Sequence, residues 1–262
     1  AEGVGEVMRA GNVFKFFAGE VLRRSGELLP SVRPGIDIEI TREAVGVVGI
    51  IAPWNFPSAI PAWKIAPALA YGNTVVFKPA ELVPGCAWAL AEIISRSGLP
   101  AGAFNLVLGS GRRVGQTIVE SPLVDAISFT GSVPVGEALL ATATARRARV
   151  QLEMGGKNPL VVLADAALER AVEHAIQGAF YSTGQRCTAS SRIIVEAPVF
   201  DRFASLMRQR TAALVVGHAL ERGTQIGPVV SADQLAQDLS YVDIGRNEGA
   251  EWLCGGEALE RP

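Results

Sequence analysis

From residue 45 onward, short runs rich in valine, isoleucine and phenylalanine alternate with longer stretches of helical spacing. Strand-like runs at 45–51, 74–78, 104–108 and 124–129 are each followed by a helical pattern, at 58–70, 84–97, 112–120 and 134–144. Near-continuous apolar strands separated by helices predict a parallel sheet covered on both faces, because each crossover lays a helix on the sheet. The alternation continues through strands at 148–154 and 160–163, a helix at 166–181, a strand at 191–196 and a helix at 198–214. The Gly155-Gly156 pair interrupts it and predicts a boundary between two α/β halves near 155–158.

The flanks read differently. Val4, Val7, Phe14, Phe17, Val21 and Leu22 recur at mostly three- and four-residue steps, predicting an amphipathic helix over 4–22 with one face buried. Ile36, Ile38 and Ile40 alternate with Asp37 and Glu39, the period of a strand, and Pro34-Gly35 predicts a hairpin turn within 27–44. The tail from Gly217 shows no closing element and is expected to be irregular.

With 49% hydrophobic residues the chain has material for a sizeable core, and its net charge of −2 argues against nucleic-acid and anionic-membrane partners. The pairs Arg23-Arg24, Arg112-Arg113 and Arg146-Arg147 are scattered and read as solvated surface. The apolar stretch around 45–54 is too short to span a bilayer. The three cysteines, at 86, 187 and 254, form no Cys-x-x-Cys pair, which disfavours a disulfide framework or zinc site and predicts a reducing, cytoplasmic setting. Ala1 rather than Met opens the chain, so the native N-terminus is expected upstream.

Cys187, in Ser-Thr-Gly-Gln-Arg-Cys-Thr-Ala between a predicted helix and strand, is the candidate nucleophile; Cys86 and Cys254 read as small buried hydrophobes. Glu153 ends a strand, where α/β active sites gather, or is a solvent-facing strand glutamate. Asn55, between Pro53 and Pro57, offers an amide to a developing oxyanion or is a turn residue. Two glycine-bearing turns, Gly109 to Gly115 and Gly131 to Gly136, each follow a strand and suit a phosphate at a helix N-terminus, although neither fits Gly-x-Gly-x-x-Gly. Lys78 and Glu81 close another strand, as ribose ligands or as a surface ion pair.

Six blocks stand in order: Gly-Ile-Ile-Ala-Pro-Trp-Asn-Phe-Pro (49–57), Trp-Lys-Ile-Ala-Pro-Ala-Leu-Ala (63–70), Gly-Asn-Thr-Val-Val-Phe-Lys-Pro-Ala-Glu (72–81), Phe-Thr-Gly-Ser (129–132), Leu-Glu-Met-Gly-Gly-Lys-Asn-Pro (152–159) and Gly-Gln-Arg-Cys (184–187). Together they resemble the aldehyde dehydrogenase family over essentially the whole chain. The resemblance implies a Rossmann-like cofactor domain over 1–155, with an oligomerisation hairpin at 27–44, and the first part of a catalytic domain over 156–262. It also implies a protein nearly twice this length, a homodimer or homotetramer when intact.

The chemistry implied is oxidation of a small aldehyde through a Cys187 thiohemiacetal and thioester, with Asn55 at the oxyanion and Glu153 as general base. Cofactor contacts are implied at Ile51, Trp54, Lys78, Glu81, Gly111, Gly115, Phe129, Gly131, Ser132, Val135, Met154 and Gly155. Glu81 favours NAD over NADP, because a carboxylate accepts from a ribose 2′-OH and repels a 2′-phosphate. Residues 9–20, 25–35 and 182–192 resemble the branch that oxidises α-ketoglutaric semialdehyde, with succinic semialdehyde as the neighbouring choice and Arg186 as a partner for the substrate carboxylate. The CoA-acylating branch generally lacks a glutamate at the position of Glu153. The remaining alternative is a catalytically silent nucleotide-binding module.

Overall fold

The structure, a computed structural model, describes residues 2–23 and 25–259; the expectations for Arg24 and for the last three residues lie outside that set. The chain divides into two compact units, 1–155 and 156–262.

The first unit opens with α1 (Glu2–Glu20) and an antiparallel hairpin, β1 (Glu27–Pro30) with β2 (Asp37–Ile40). Then come β3 (Val47–Ile51), α2 (Ala59–Ala70), β4 (Thr74–Lys78), α3 (Pro84–Ser95), β5 (Phe104–Leu106), α4 (Gln116–Glu120) after a π turn at Gly111–Gly115, β6 (Ala126–Gly131), α5 (Val133–Ala145) and β7 (Arg149–Met154). Five strands, β3 to β7, form one parallel sheet in the order β5-β4-β3-β6-β7. The chain starts in mid-sheet at β3, steps outward through β4 and β5, and returns to the other side of β3 for β6 and β7. This reversal opens a crevice beyond the carboxyl ends of β3 and β6, where open α/β sheets bind ligands.

Alternation along each strand sends side chains into two cores. Ile50, Val75 and Phe77 pack with Ile60, Ile65 and Ala87 of α2 and α3, whereas Ile127 and Phe129 pack with Ile118, Val119, Leu139 and Ala143 of α4 and α5. Phe77, Ile50 and Ile65 are fully buried, each contributing roughly 1.5–3 kcal/mol. The sheet that carries the crevice is therefore clamped from both faces.

The second unit contains the parallel pair β8 (Asn158–Val162) and β9 (Ser190–Val195), with α6 (Leu168–Phe180) and α7 (Ala197–Ala212). Its core is Val162, Leu168, Val172, Ala175, Ile176 and Phe203. The fold is thus the expected Rossmann-like parallel sheet followed by the start of a second α/β region.

Four expectations need correction. The tail contains a sixteen-residue helix, α8 (Ala232–Asn247), started by Ser231, whose hydroxyl accepts from the Gln234 backbone N–H at 3.2 Å. No residue of α8 is buried, so it lacks the apolar stripe by which a helix is recognised in sequence. Along α1 only Ala10 is buried, and Val4 and Val7 are exposed, because the helix meets its neighbours along a narrow line through Phe14 and Phe17. Cys86 is exposed on α3, since the buried positions of that helix are Ala87 and Ile94. Cys254 is likewise exposed, in a bend where Arg246 covers the neighbouring Trp252 ring at 3.6 Å. Among the described residues no helix is long and apolar enough to cross a membrane.

Candidate active site

In the first unit the expected cofactor residues gather at the carboxyl ends of the strands. Ile51 ends β3, Lys78 ends β4, Gly131 ends β6 and Met154 ends β7. Lys78 is buried, with only 3% of its surface exposed, and its Nζ donates to the Pro79 carbonyl at 2.6 Å. It is therefore no surface ion pair. Burial holds its pKa below the ordinary lysine value, and the negative charge of Glu81 works in the opposite direction.

Glu81 turns toward the glycine turn after β5, where its Oε1 accepts from the Gly111 backbone N–H at 2.9 Å. Gly115 lies against Ile51 and Lys78, since a Cβ there would sit 3.8 Å from Ile51 Cδ1 and from Lys78 Cδ. Five residues from three separate stretches of the chain, Ile51, Lys78 with Glu81, and Gly111 with Gly115, thus line one cradle.

The turn from β6 into α5 is shaped by contact. A Cβ on Gly131 would come within 2.4 Å of Phe129 Cζ, so the main chain there can take only glycine without displacing a buried ring. Phe129, an expected cofactor contact, is buried in the core and shapes the turn from beneath. Ser132 is the N-cap of α5 with its side chain making no capping bond, which leaves the first-turn N–H groups of that helix without a side-chain partner. Val135, in that first turn, is exposed.

Trp54 and Asn55 are half-buried in the loop between β3 and α2. Both ends of the loop are tied. Ala52 N–H donates to the Lys78 carbonyl at 3.2 Å, and Glu6 Oε1 accepts from Ser58 N at 2.6 Å and Ala59 N at 3.0 Å. Glu6, on α1, supplies the carboxylate that the N-terminus of α2 lacks locally. Nothing near it in sequence announced that role.

Glu153 stands on the exposed side of β7, and its Oε1 accepts from Gln151 Nε2 at 2.9 Å. Gln151 Oε1 in turn accepts from Ser128 Oγ at 2.7 Å and from Lys64 Nζ at 3.0 Å. Lys64 also donates to Ser128 Oγ at 2.9 Å and to the Phe129 carbonyl at 3.3 Å. It is buried, and desolvation lowers its pKa from 10.5 to about 8, with the Glu153 charge as the partial counterweight. The one signal in the sequence was a lone lysine in an apolar helix, Ala-Ile-Pro-Ala-Trp-Lys-Ile-Ala.

In the second unit Cys187 is exposed in a turn between the short helix at Tyr181–Gly184 and β9. Its carbonyl accepts from Asn158 Nδ2 at 2.7 Å, and the same amide donates to the Ala189 carbonyl at 3.1 Å, so Asn158 staples the cysteine and the segment after it to β8. Upstream, Ser182, Thr183 and Gly184 adopt φ of 53°, 57° and 66°, a left-handed run that costs the two non-glycine residues roughly 1–2 kcal/mol each. A Cβ on Gly184 would fall 2.9 Å from the Ala179 carbonyl. Gln185 Oε1 accepts from Val230 N at 2.9 Å, anchoring the turn on its other side.

Arg186 Nη2 donates to the carbonyls of Gln177 and Tyr181, at 2.7 and 2.8 Å, where α6 runs out of intrahelical donors. One end of the guanidinium is thus held by the main chain, the packing alternative to a partner for a substrate carboxylate.

The aldehyde dehydrogenase family model matches residues 1–262. The chain belongs to the aldehyde dehydrogenase family. It is 49% identical over 260 residues to an α-ketoglutaric semialdehyde dehydrogenase of Bacillus subtilis, covering 99% of this chain and 53% of that protein. It is 44% identical over 256 residues to a 2,5-dioxopentanoate dehydrogenase of Saccharolobus solfataricus, covering 97% and 53%. Among solved structures, a betaine aldehyde dehydrogenase of Staphylococcus aureus in complex with NAD+ superposes with a TM-score of 0.96 at 36% identity, covering 98% of this chain and 51% of that one. An NADP-dependent enzyme of Escherichia coli gives 0.96 at 38% identity, covering 98% and 54%. The chain thus spans about half the length of the curated relatives it matches.

Proposed function

We propose that this chain carries the cofactor-binding region and the nucleophile of an NAD-dependent dehydrogenase that oxidises α-ketoglutaric semialdehyde to 2-oxoglutarate. The observation that carries the reading is the cradle at the strand ends, where Glu81, Gly111, Gly115, Ile51 and Lys78 are held together beside the switch point of the sheet. The relatives named for α-ketoglutaric semialdehyde and 2,5-dioxopentanoate support the choice of aldehyde.

The residues suit a dinucleotide. Lys78 and Glu81 offer a donor and an acceptor for ribose hydroxyls; the N-terminus of α5 at Ser132 offers backbone N–H groups to a pyrophosphate, and Gly131 lets the main chain approach it. Ile51, Trp54, Val135, Met154 and Gly155 complete the apolar and main-chain lining. When bound, the oxidised nicotinamide supplies the two-electron acceptor that aldehyde oxidation requires. NAD is preferred over NADP because the Glu81 carboxylate repels a 2′-phosphate.

In this mechanism the Cys187 thiolate adds to the aldehyde carbon, and the Asn55 amide and the Cys187 backbone N–H donate to the resulting oxyanion. Loss of two electrons and one proton from the carbon leaves a thioester on the Cys187 sulfur. Glu153 then takes a proton from water as that water attacks the thioester, releasing the carboxylic acid and returning the thiol. A base at position 153 makes water the acyl acceptor. The exposed apolar residues of the hairpin, Leu28, Leu29, Ile38 and Ile40, support a homodimeric or homotetrameric intact protein, and the three free cysteines support a reducing, cytoplasmic setting.

The test is NADH formation by the full-length protein with α-ketoglutaric semialdehyde, beside succinic semialdehyde and betaine aldehyde. Highest kcat/KM on the first with NAD is the expected result. A preference for either other aldehyde would overturn the substrate; NAD binding without turnover on any would leave a silent nucleotide-binding module.

A further inference from the structure

We propose that Gln151 is the positioning residue for the Glu153 carboxylate, with its amide locked by Lys64 and Ser128 so that only its NH2 end meets Glu153. The inference rests on the reading of Glu153 as the base for thioester hydrolysis. A glutamine side chain has two orientations of nearly equal shape, one with oxygen and nitrogen exchanged. Here Oε1 faces two donors, the Ser128 hydroxyl at 2.7 Å and the Lys64 ammonium at 3.0 Å. An ammonium has three donors and no acceptor, so the exchanged orientation would set the amide N–H groups against the N–H groups of the buried Lys64.

Nε2 is consequently left to donate to Glu153 Oε1 at 2.9 Å. The amide dipole runs from a positive group to a negative one, and both ends are matched. One carboxylate oxygen of Glu153 is thereby pinned in a charge-assisted bond, which limits the directions open to the other. Gln151 and Glu153 alternate on one side of β7, and β6 supplies Ser128 at the register position opposite Gln151. The lysine reaches this pair from α2 through the interior.

The experiment uses the full-length enzyme and three substitutions read by pre-steady-state kinetics, which separate the initial burst of NADH from thioester hydrolysis. In Gln151→Met the donor is lost at similar length; hydrolysis falls roughly tenfold or more while the burst persists. Gln151→Glu is the sharper variant, because it is isosteric yet cannot donate as a carboxylate and repels Glu153, so its hydrolysis is slower than in Gln151→Met. Ser128→Ala, which removes one of the two locking donors, gives a smaller loss and serves if either Gln151 variant fails to fold. A role in packing alone predicts the reverse order, with Gln151→Glu nearest the parent. That order, or unchanged hydrolysis in both Gln151 variants, overturns the proposal while Glu153→Gln still blocks hydrolysis. If Glu153→Gln itself leaves hydrolysis unchanged, the general-base reading fails first and the proposal with it.

Discussion

Replacing Gly131 by alanine adds one carbon at a place where the surroundings cannot yield. The new Cβ would stand 2.4, 3.0 and 3.2 Å from Phe129 Cζ, Cε2 and Cε1. An ordinary carbon–carbon contact of roughly 3.5 Å exceeds the shortest of these by about 1 Å, so either ring or turn must move by that amount. Phe129 is only 3% exposed and is packed among Ile127, Leu139 and Ala143, and interiors are close-packed, so the ring has no space to take. The turn therefore moves, carrying Ser132 and the first turn of α5 with it, at an overpacking cost of about 1–3 kcal/mol.

Two readouts follow in the full-length protein. The thermal midpoint falls, and the dissociation constant for NAD, measured by calorimetry, rises by about tenfold or more because the displaced N–H groups no longer reach a pyrophosphate. Gly85→Ala, on α3, is the internal control, since no atom lies within 4 Å of a Cβ there. Equal NAD affinities in the parent and in Gly131→Ala would refute the reasoning.

Lys64 gives a prediction with a definite sign. Its folded-state pKa of about 8 lies below 10.5, so between those values the unfolded chain binds more protons, and stability from this group rises with pH. The stability of the parent relative to Lys64→Met should therefore increase by roughly 3 kcal/mol between pH 7 and pH 11, as read by denaturant titration at each pH; a flat or falling difference would contradict it. Glu81→Gln removes the charge that repels a 2′-phosphate while keeping an acceptor, so the ratio of kcat/KM for NAD to that for NADP should fall by about tenfold or more in steady-state assays. Turnover on α-ketoglutaric semialdehyde, in preference to succinic semialdehyde, is the corresponding expectation for substrate.

The sheet was legible because parallel strands are buried on both faces: runs such as Val-Val-Gly-Ile-Ile and Thr-Val-Val-Phe-Lys announce themselves without regard to partners. Topology alone then singles out the strand ends, which is why Lys78, Glu81 and the glycine turns could be placed at the carboxyl edge of the sheet from the sequence. What escaped depends on contacts between distant residues. Lys64 meets Ser128 and Gln151 across 64 and 87 positions, and Glu6 meets the start of α2 across 52. The contacts of Arg186 with Gln177 and Tyr181 were not legible, because a guanidinium beside a cysteine reads the same whether it faces a ligand or the end of α6. The helix at Ala232–Asn247 escaped for the opposite reason, since it buries nothing and so carries no apolar period.

The central claim is that Cys187 carries the acyl group, and the direct measurement is mass spectrometry of the full-length protein quenched during turnover of α-ketoglutaric semialdehyde with NAD. The account predicts an acyl adduct on the peptide containing Cys187, increased in Glu153→Gln and absent, together with NADH formation, in Cys187→Ala, which still binds NAD. Undiminished NADH formation by Cys187→Ala, or an adduct on Cys86 or Cys254 instead, would contradict it.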